Sequence, residues 1–136
     1  MSSTLWLRIS SIVALLLAAG HTLGGRKQWS PMGDNAVLQA MKDTRFDTMG
    51  VSRTYLDFYV GFGYSLSVAQ TLLAVLLWQL ASMARTNARG VRPMILVIGL
   101  ACLGNALIAW NFIFPLPALF SLATAIPLAV AFAVAR

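Results

Sequence analysis

Four apolar runs, at residues 5–23, 58–80, 94–114 and 116–134, constrain this chain more than anything else in it. Each is close to the roughly 20 residues an α-helix needs to cross a hydrocarbon core of roughly 30 Å. In lipid every backbone N–H and C=O must be satisfied within its own segment, so runs of this kind form helices. Composition agrees. Apolar residues make up 59% of the chain and charged residues only 10%, against about 25% charged in ordinary soluble domains. So few charges cannot cover the surface of a soluble protein of this size, and the surplus apolar surface calls for lipid as its solvent. The expectation is an all-α integral membrane four-helix bundle, a single domain over residues 1–136, with helices at about 5–24, 53–83, 93–114 and 116–135.

The ends of the runs carry local signals. Arg8 interrupts the first run, and its long stem can snorkel to the headgroups. That run begins like a signal peptide, with Ala18-Ala19-Gly20 as a small-residue cleavage site. Further spans follow it, so a retained helix is expected. Ser52 is an expected N-cap for the second helix, and Pro93 falls where a first-turn proline is tolerated. Pro115 and Pro117 predict a tight, chargeless turn that makes a hairpin of the last two helices. Pro127 lies inside the fourth helix and deprives a carbonyl one turn earlier of its donor. Thr124 or a packed helix must accommodate that loss.

The formal charge is +6, from ten Lys and Arg against four acids, all Asp. These cations flank apolar runs, as membrane proteins place them, so nucleic acid is not an expected partner. Arg8, Arg85, Arg89, Arg92 and Arg136 belong to one side of the bundle; Arg26, Lys27, Lys42, Arg45 and Arg53 belong to the other. The positive-inside count is tied. Short cationic loops are retained more strongly than long ones, which favours both termini in the cytoplasm. Trp6 and Trp78 then belong to the cytoplasmic aromatic belt, and Trp29, Tyr55, Tyr59 and Trp110 to the opposite one. The single Cys102 excludes an intrachain disulfide. With one His and one Cys, a zinc or iron–sulfur site within one chain lacks ligands. His21 and a methionine would suffice as axial ligands of a haem, but nothing in the pattern demands one. No metal and no cofactor are expected.

The first loop runs to about thirty residues, a length at which connections are functional or disordered. Its apolar content, including Trp29, Val37, Leu38, Met41, Phe46 and Met49, argues for order. Asp34 as N-cap and the helical spacing of Val37, Leu38 and Met41 predict a short amphipathic helix at about 34–49. The bland reading of that helix is a cover for the bundle end.

Polar side chains concentrate in the half of the bundle nearest this loop. His21, Asp57, Asn105 and Asn111 lie roughly 5–14 Å below that surface at 1.5 Å per residue. Small residues share their faces: Ala14, Ala18, Gly24 and Gly25 with His21, Gly61 and Ser65 with Asp57, Ala101 and Ala109 with Asn105. Small residues let helices approach closely, so these faces are expected to point inward. An ionisable group inside a membrane is a functional hypothesis by default. His21 and Asp57 are therefore the candidate catalytic acid–base pair. Trp29, Tyr55, Tyr59, Tyr64, Asn105, Trp110 and Asn111 are the candidate substrate-binding residues. The structural alternatives are a hydrogen bond tying the first two helices, an Asp57–Arg53 pair, and interface-belt roles for the aromatics.

The stretches His21-Thr22-Leu23-Gly24-Gly25 and Arg53-Thr54-Tyr55-Leu56-Asp57-Phe58-Tyr59-Val60-Gly61-Phe62-Gly63 resemble those of small four-span bacterial membrane proteins without an assigned function. That resemblance would cover most of the chain and implies a fold but no activity; the expected location is a bacterial inner membrane. The plan of helix, long loop with a short helix, and three more helices is also similar to the emopamil-binding (EXPERA) group. In that group, sterol isomerases and a sterol-binding receptor use pockets that open within the membrane. Those proteins rely on acidic residues in their membrane helices; here only Asp57 corresponds, with His21 beside it. The functional expectation is an intramembrane pocket that binds or transforms an isoprenoid, sterol-like or acyl molecule, with His/Asp chemistry such as isomerisation, cyclisation or hydration. The alternative is a non-catalytic subunit or scaffold for a protein partner; self-association into a homo-oligomer stays open.

Overall fold

The computed structural model describes every residue except Met1, Trp29 and Pro31. It consists of α1 (Ser3–Gly24), a 3-10 turn (Gly25–Lys27), α2 (Ala36–Asp43), β1 (Arg45–Thr48), β2 (Val51–Thr54), α3 (Tyr55–Met83), α4 (Arg92–Phe112) and α5 (Pro115–Val134). The chain is predominantly helical, and α1, α3, α4 and α5 are long and apolar enough to cross a membrane. It divides into two compact units, Met1–Leu17 with Gln70–Arg136, and Ala18–Ala69.

In the first unit, the leading part of α1, the second half of α3, α4 and α5 share a core. Leu7, Leu77, Ile95 and Leu128 are its fully buried large side chains, with Ala74, Ala81, Ala125 and Ala131 between them. Alanine at so many contact positions lets the helix backbones approach closely. Two adjacent buried serines reinforce it. Ser10 Oγ donates to the Thr124 carbonyl of α5 at 3.1 Å, and Ser11 Oγ to the Ala74 carbonyl of α3 at 2.7 Å. The Ser10 bond falls beside the gap that Pro127 leaves: a packed helix supplies a donor to the Thr124 carbonyl, next to the Ala123 carbonyl that lacks its helical partner. Thr124 Oγ1 in turn donates to Phe120 O at 2.9 Å. Pro115 and Pro117 are not the turn between α4 and α5. They lie in the first turn of α5, where missing N–H groups cost nothing, and the chain reverses at Ile113 and Phe114. Between α3 and α4, Gly90 N–H donates to Asn87 Oδ1 at 2.8 Å. A Cβ at Gly90 would overlap that same amide.

In the second unit the expected loop helix at 34–49 is half the predicted length. Its N-cap is Asn35, whose Oδ1 accepts from Val37 N and Leu38 N. Asp34, expected there, instead accepts from Gln39 Nε2 and pairs with Lys42 at 3.4 Å. After Asp43 the chain forms an antiparallel hairpin in the register Arg45–Thr54 to Thr48–Val51. Met49 and Gly50 make its two-residue turn, both at positive φ, as a type I′ turn requires. The fold is all-α in class, with this short hairpin as an addition in the connection before α3. Phe46 packs its ring on Tyr55 and Phe58, and Phe58 packs on Phe62, a run of tilted and edge-on contacts from the hairpin onto α3. Ser52, the expected cap of α3, sits in β2. Thr54 caps the helix instead.

Along α3 a covered stripe runs through 56, 60, 63, 67, 70, 74, 77 and 81, widened by Leu73 and Leu80 in the second half of the helix. That alternation of fours and threes is the 3.5-residue period of a knobs-into-holes seam.

Candidate functional site

Asp57 is held by the helix start. Its Oδ2 accepts from Thr54 N at 2.9 Å, while Thr54 Oγ1 accepts from Asp57 N at 3.0 Å. This reciprocal pair is a capping box with aspartate in the acidic place, and it satisfies two of the orphan donors at the head of α3. Arg53, the alternative partner, donates to the Ser52 carbonyl at 3.0 Å.

His21 is half-buried at the end of α1, on the face formed by Ala14, Ala18 and Gly25, as expected from their size. Its Nε2 lies 3.0 Å from the Gly63 carbonyl. A carbonyl only accepts, so Nε2 carries the proton, and the backbone of α3 fixes the tautomer. Gly63 lies about 9 Å further along α3 than Asp57 and about 120° around it. His21 and Asp57 thus hold separate stations on α3, each bonded to backbone. The Gly63 carbonyl also accepts from Ser67 Oγ at 3.3 Å.

The expectation that every polar face points inward fails at two places. Asp57, Gly61 and Ser65 are exposed on α3, because the covered stripe of that helix runs through Leu56, Gly63 and Ser67. There Arg53, Asp57, Phe58, Gly61, Phe62 and Ser65 border an open depression of about 260 Å³. In the other unit Asn105 and Ala101 are exposed on α4, while Cys102, Ala106 and Ala109 face the core. Trp110 and Asn111 are exposed too, and Asn111 Nδ2 donates back to Leu107 O at 2.8 Å. Tyr55, Tyr59 and Tyr64 are each roughly half exposed on α3. Trp29 lies outside the described residues.

Of the expected binding residues, Tyr59 lines a pocket that residue-by-residue reasoning missed. This cavity of about 370 Å³ lies between α2, the segment before it and α3. Met32, Val37, Leu38, Met41 and Tyr59 supply apolar walls, and Gln28, Ser30 and Asn35 supply polar ones. Gln28 adopts the left-handed conformation at φ 52°, which turns the chain after the 3-10 segment. Ser30 Oγ donates to Gly33 O at 2.6 Å and closes the next turn. The sequence signal was the amphipathic pattern of 37–41, which predicts a helix on the membrane or over the mouth of the bundle, or a plain cover, but does not by itself predict a pocket wall. Among the described residues no three His, Cys, Asp or Glu side chains converge as metal ligands.

Comparison with protein-family models, with curated proteins and with solved structures finds no match to this chain.

Proposed function

We propose that this chain is an integral membrane protein that binds an amphiphilic, lipid-like molecule in the pocket beneath α2. Four helices of membrane-crossing length support the location, as do the large apolar side chains exposed along them, such as Leu16, Phe62, Leu107 and Ile126. The short, acid-free α3–α4 connection, with Arg85, Arg89 and Arg92 in or beside it, supports cytoplasmic termini in a bacterial inner membrane. One observation carries the ligand reading: the pocket has an apolar wall from α2 and Tyr59 and a polar wall from Gln28, Ser30 and Asn35. Such a lining fits an isoprenoid, sterol-like or acyl chain with a small polar head. The helix plan, which resembles that of the EXPERA group in layout, is in keeping with this reading.

Native mass spectrometry with lipid extraction, on protein purified gently from its own membrane, tests this. One dominant amphiphile is expected, and Met41→Trp, which fills the pocket, removes it. Bulk phospholipid alone, unchanged by that substitution, refutes the reading. Isomerisation, cyclisation or hydration would need proton transfer by His21 or Asp57. These are held at separate stations along α3 and outside the lining of this pocket, so each would have to act alone on a part of the ligand that extends beyond it. Asp57→Asn separates chemistry from structure here, because an amide oxygen still accepts from Thr54 N–H while the titrating group is gone. Turnover of the captured amphiphile that survives both Asp57→Asn and His21→Ala excludes their catalytic roles.

The exposed Asn105 amide favours a second reading. In lipid, an amide on an apolar helix face is satisfied by a neighbouring helix. A subunit or self-associating scaffold joined through α4 would supply one. Asn105→Leu then abolishes a stoichiometric complex in mild detergent; an unchanged complex removes this reading.

A further inference from the structure

Arg92 opens α4 with its guanidinium carbon 4.4 Å from the centre of the Phe132 ring. Its Nε is buried and has no hydrogen-bond partner among the described residues. No acidic side chain is at hand in this unit, since Asp34, Asp43, Asp47 and Asp57 all belong to residues 18–69. The unit's charged side chains are five arginines: Arg8, Arg85, Arg89, Arg92 and Arg136. Arg8 repeats the pattern, stacked 4.7 Å from the Trp78 ring, with its Nε also buried and unpartnered among the described residues. A guanidinium stacked on an aromatic ring keeps its charge and its planar fork, which matches a phosphate oxygen pair better than any neutral acceptor.

Phe132 has a second role. It also walls a groove of about 270 Å³ between α4 and α5, with Ile95, Gly99, Leu103, Ala125 and Ala129 among its other walls. The groove is almost wholly apolar. Gly99 and the two alanines keep it open, and a Cβ at Gly99 would only just touch Leu128, at 3.9 Å. From Ile95 to Leu103 it follows α4 for about 12 Å, close to the depth of one leaflet, half of roughly 30 Å.

An arginine with no carboxylate partner in its unit and an apolar groove thus meet at one aromatic side chain. We infer that this is a site for one anionic glycerophospholipid. Its phosphodiester binds the Arg92 guanidinium, and one acyl chain lies in the α4–α5 groove over Gly99. The lipid is anionic rather than zwitterionic because an ammonium headgroup finds no carboxylate side chain in this unit and five like charges. The site rests on the membrane location proposed above and is independent of the pocket beneath α2.

The test uses the full chain in detergent, exchanged into phosphatidylglycerol or phosphatidylcholine of identical acyl composition and read by native mass spectrometry. One phosphatidylglycerol is expected to be retained per chain, at least fivefold over phosphatidylcholine. Arg92→Gln lowers that retention at least fivefold, Arg92→Lys lowers it less, and Gly99→Leu, which fills the groove, lowers it with the arginine intact. Millimolar inorganic phosphate does not compete. Circular dichroism establishes that each variant is folded, and the wild-type selectivity itself needs no variant. Equal retention of the two lipids overturns the inference, as does wild-type retention in folded Arg92→Gln. Competition by inorganic phosphate with no effect of Gly99→Leu would make this a phosphate site. Loss of a dimer in Gly99→Leu would make the groove a seat for a second copy. Met41→Trp leaves phosphatidylglycerol retention unchanged, so the two sites fail separately.

Discussion

Replacing Ser10 by alanine probes how the fourth apolar helix tolerates its internal proline. Pro127 has no N–H, so the Ala123 carbonyl four residues earlier has no helical donor, and the ring pushes that turn open. Ser10 Oγ, on a fully buried residue, donates to the adjacent Thr124 carbonyl at 3.1 Å. Ser11 Oγ makes the same kind of bond to Ala74 O at 2.7 Å, in a stretch of α3 that holds no proline. Interhelical hydrogen bonds in membrane proteins contribute about 0.6 kcal/mol on average and at most about 1.7 kcal/mol. Serine to alanine removes one oxygen and leaves almost no cavity, so the loss reports the bond. We expect Ser10→Ala to destabilise by about 1 kcal/mol, toward the upper part of that range, because the opened turn leaves its carbonyl more dependent on an outside donor.

The same substitution in a Pro127→Ala background should lose much of its effect. Alanine returns an N–H to the Ala123 carbonyl and closes the turn, so the Thr124 carbonyl is better served by its own helix. A double-mutant cycle is therefore expected to give a coupling of at least about 0.5 kcal/mol between Ser10 and Pro127. The cavity left by removing the buried proline ring cancels in the cycle. Ser11→Ala paired with Pro127→Ala is the control, with additivity expected within about 0.3 kcal/mol. Reversible unfolding in mixed micelles, followed by tryptophan fluorescence, gives all six free energies. Additive behaviour for Ser10 and Pro127 would refute the argument and leave Ser10 an ordinary interhelical bond.

Thr54→Ala removes one half of the capping box and should destabilise by about 1 kcal/mol; hydrogen exchange should show faster opening at the amides of Tyr55 to Phe58. Met49→Asn places at the first turn position the residue that best tolerates positive φ, so a stabilisation of about 0.5 kcal/mol is expected, read as a rise in the midpoint of thermal unfolding. A fall in that midpoint would mean that the exposed Met49 side chain serves a contact of its own.

The four long helices were legible because their signal is length and apolarity, and both survive any arrangement of faces. Starts and stops moved by only a few residues where a cap was shared among similar neighbours: Asn35 rather than Asp34, Thr54 rather than Ser52. The hairpin was hidden by Met49. Asn-Gly or Asp-Gly between Thr48 and Val51 would have announced a two-residue turn, whereas Met-Gly reads as part of the preceding helix. Which side of each helix is covered was legible in α1, where Ala14 and Ala18 mark the seam, and not in α3. In a helix that is apolar all round, hydrophobicity does not distinguish faces. Small residues were the remaining guide. On α3 they mislead, since Gly61 and Ser65 lie outside the stripe that Leu56, Gly63 and Ser67 define. The same ambiguity turned Asn105 outward and separated Asp57 from His21. The pocket beneath α2 was out of reach for another reason: its walls come from a turn, a short helix and Tyr59, and no periodic pattern joins them.

A tie in the cation count conceals a difference in what those cations can do. In the unit formed by residues 18–69 the five basic side chains share space with four aspartates, and Lys42 is paired to Asp34 at 3.4 Å. Its net side-chain charge is small, and three of its cations, Lys42, Arg45 and Arg53, have partners within the unit. In the other unit Arg8 and Arg92 meet aromatic rings instead, Trp78 and Phe132. An aromatic face attracts a guanidinium without neutralising it, so that charge is left for an anion from outside. At a bilayer surface the available anion is a lipid phosphate, and the cytoplasmic leaflet attracts each nearby Lys or Arg by about 1 kcal/mol. If the proposed membrane location holds, one arrangement would act on both topology and recognition: arginines that find no acidic side chain in their unit would favour the anionic leaflet, and the α4–α5 groove would give one lipid of that leaflet a place to stay.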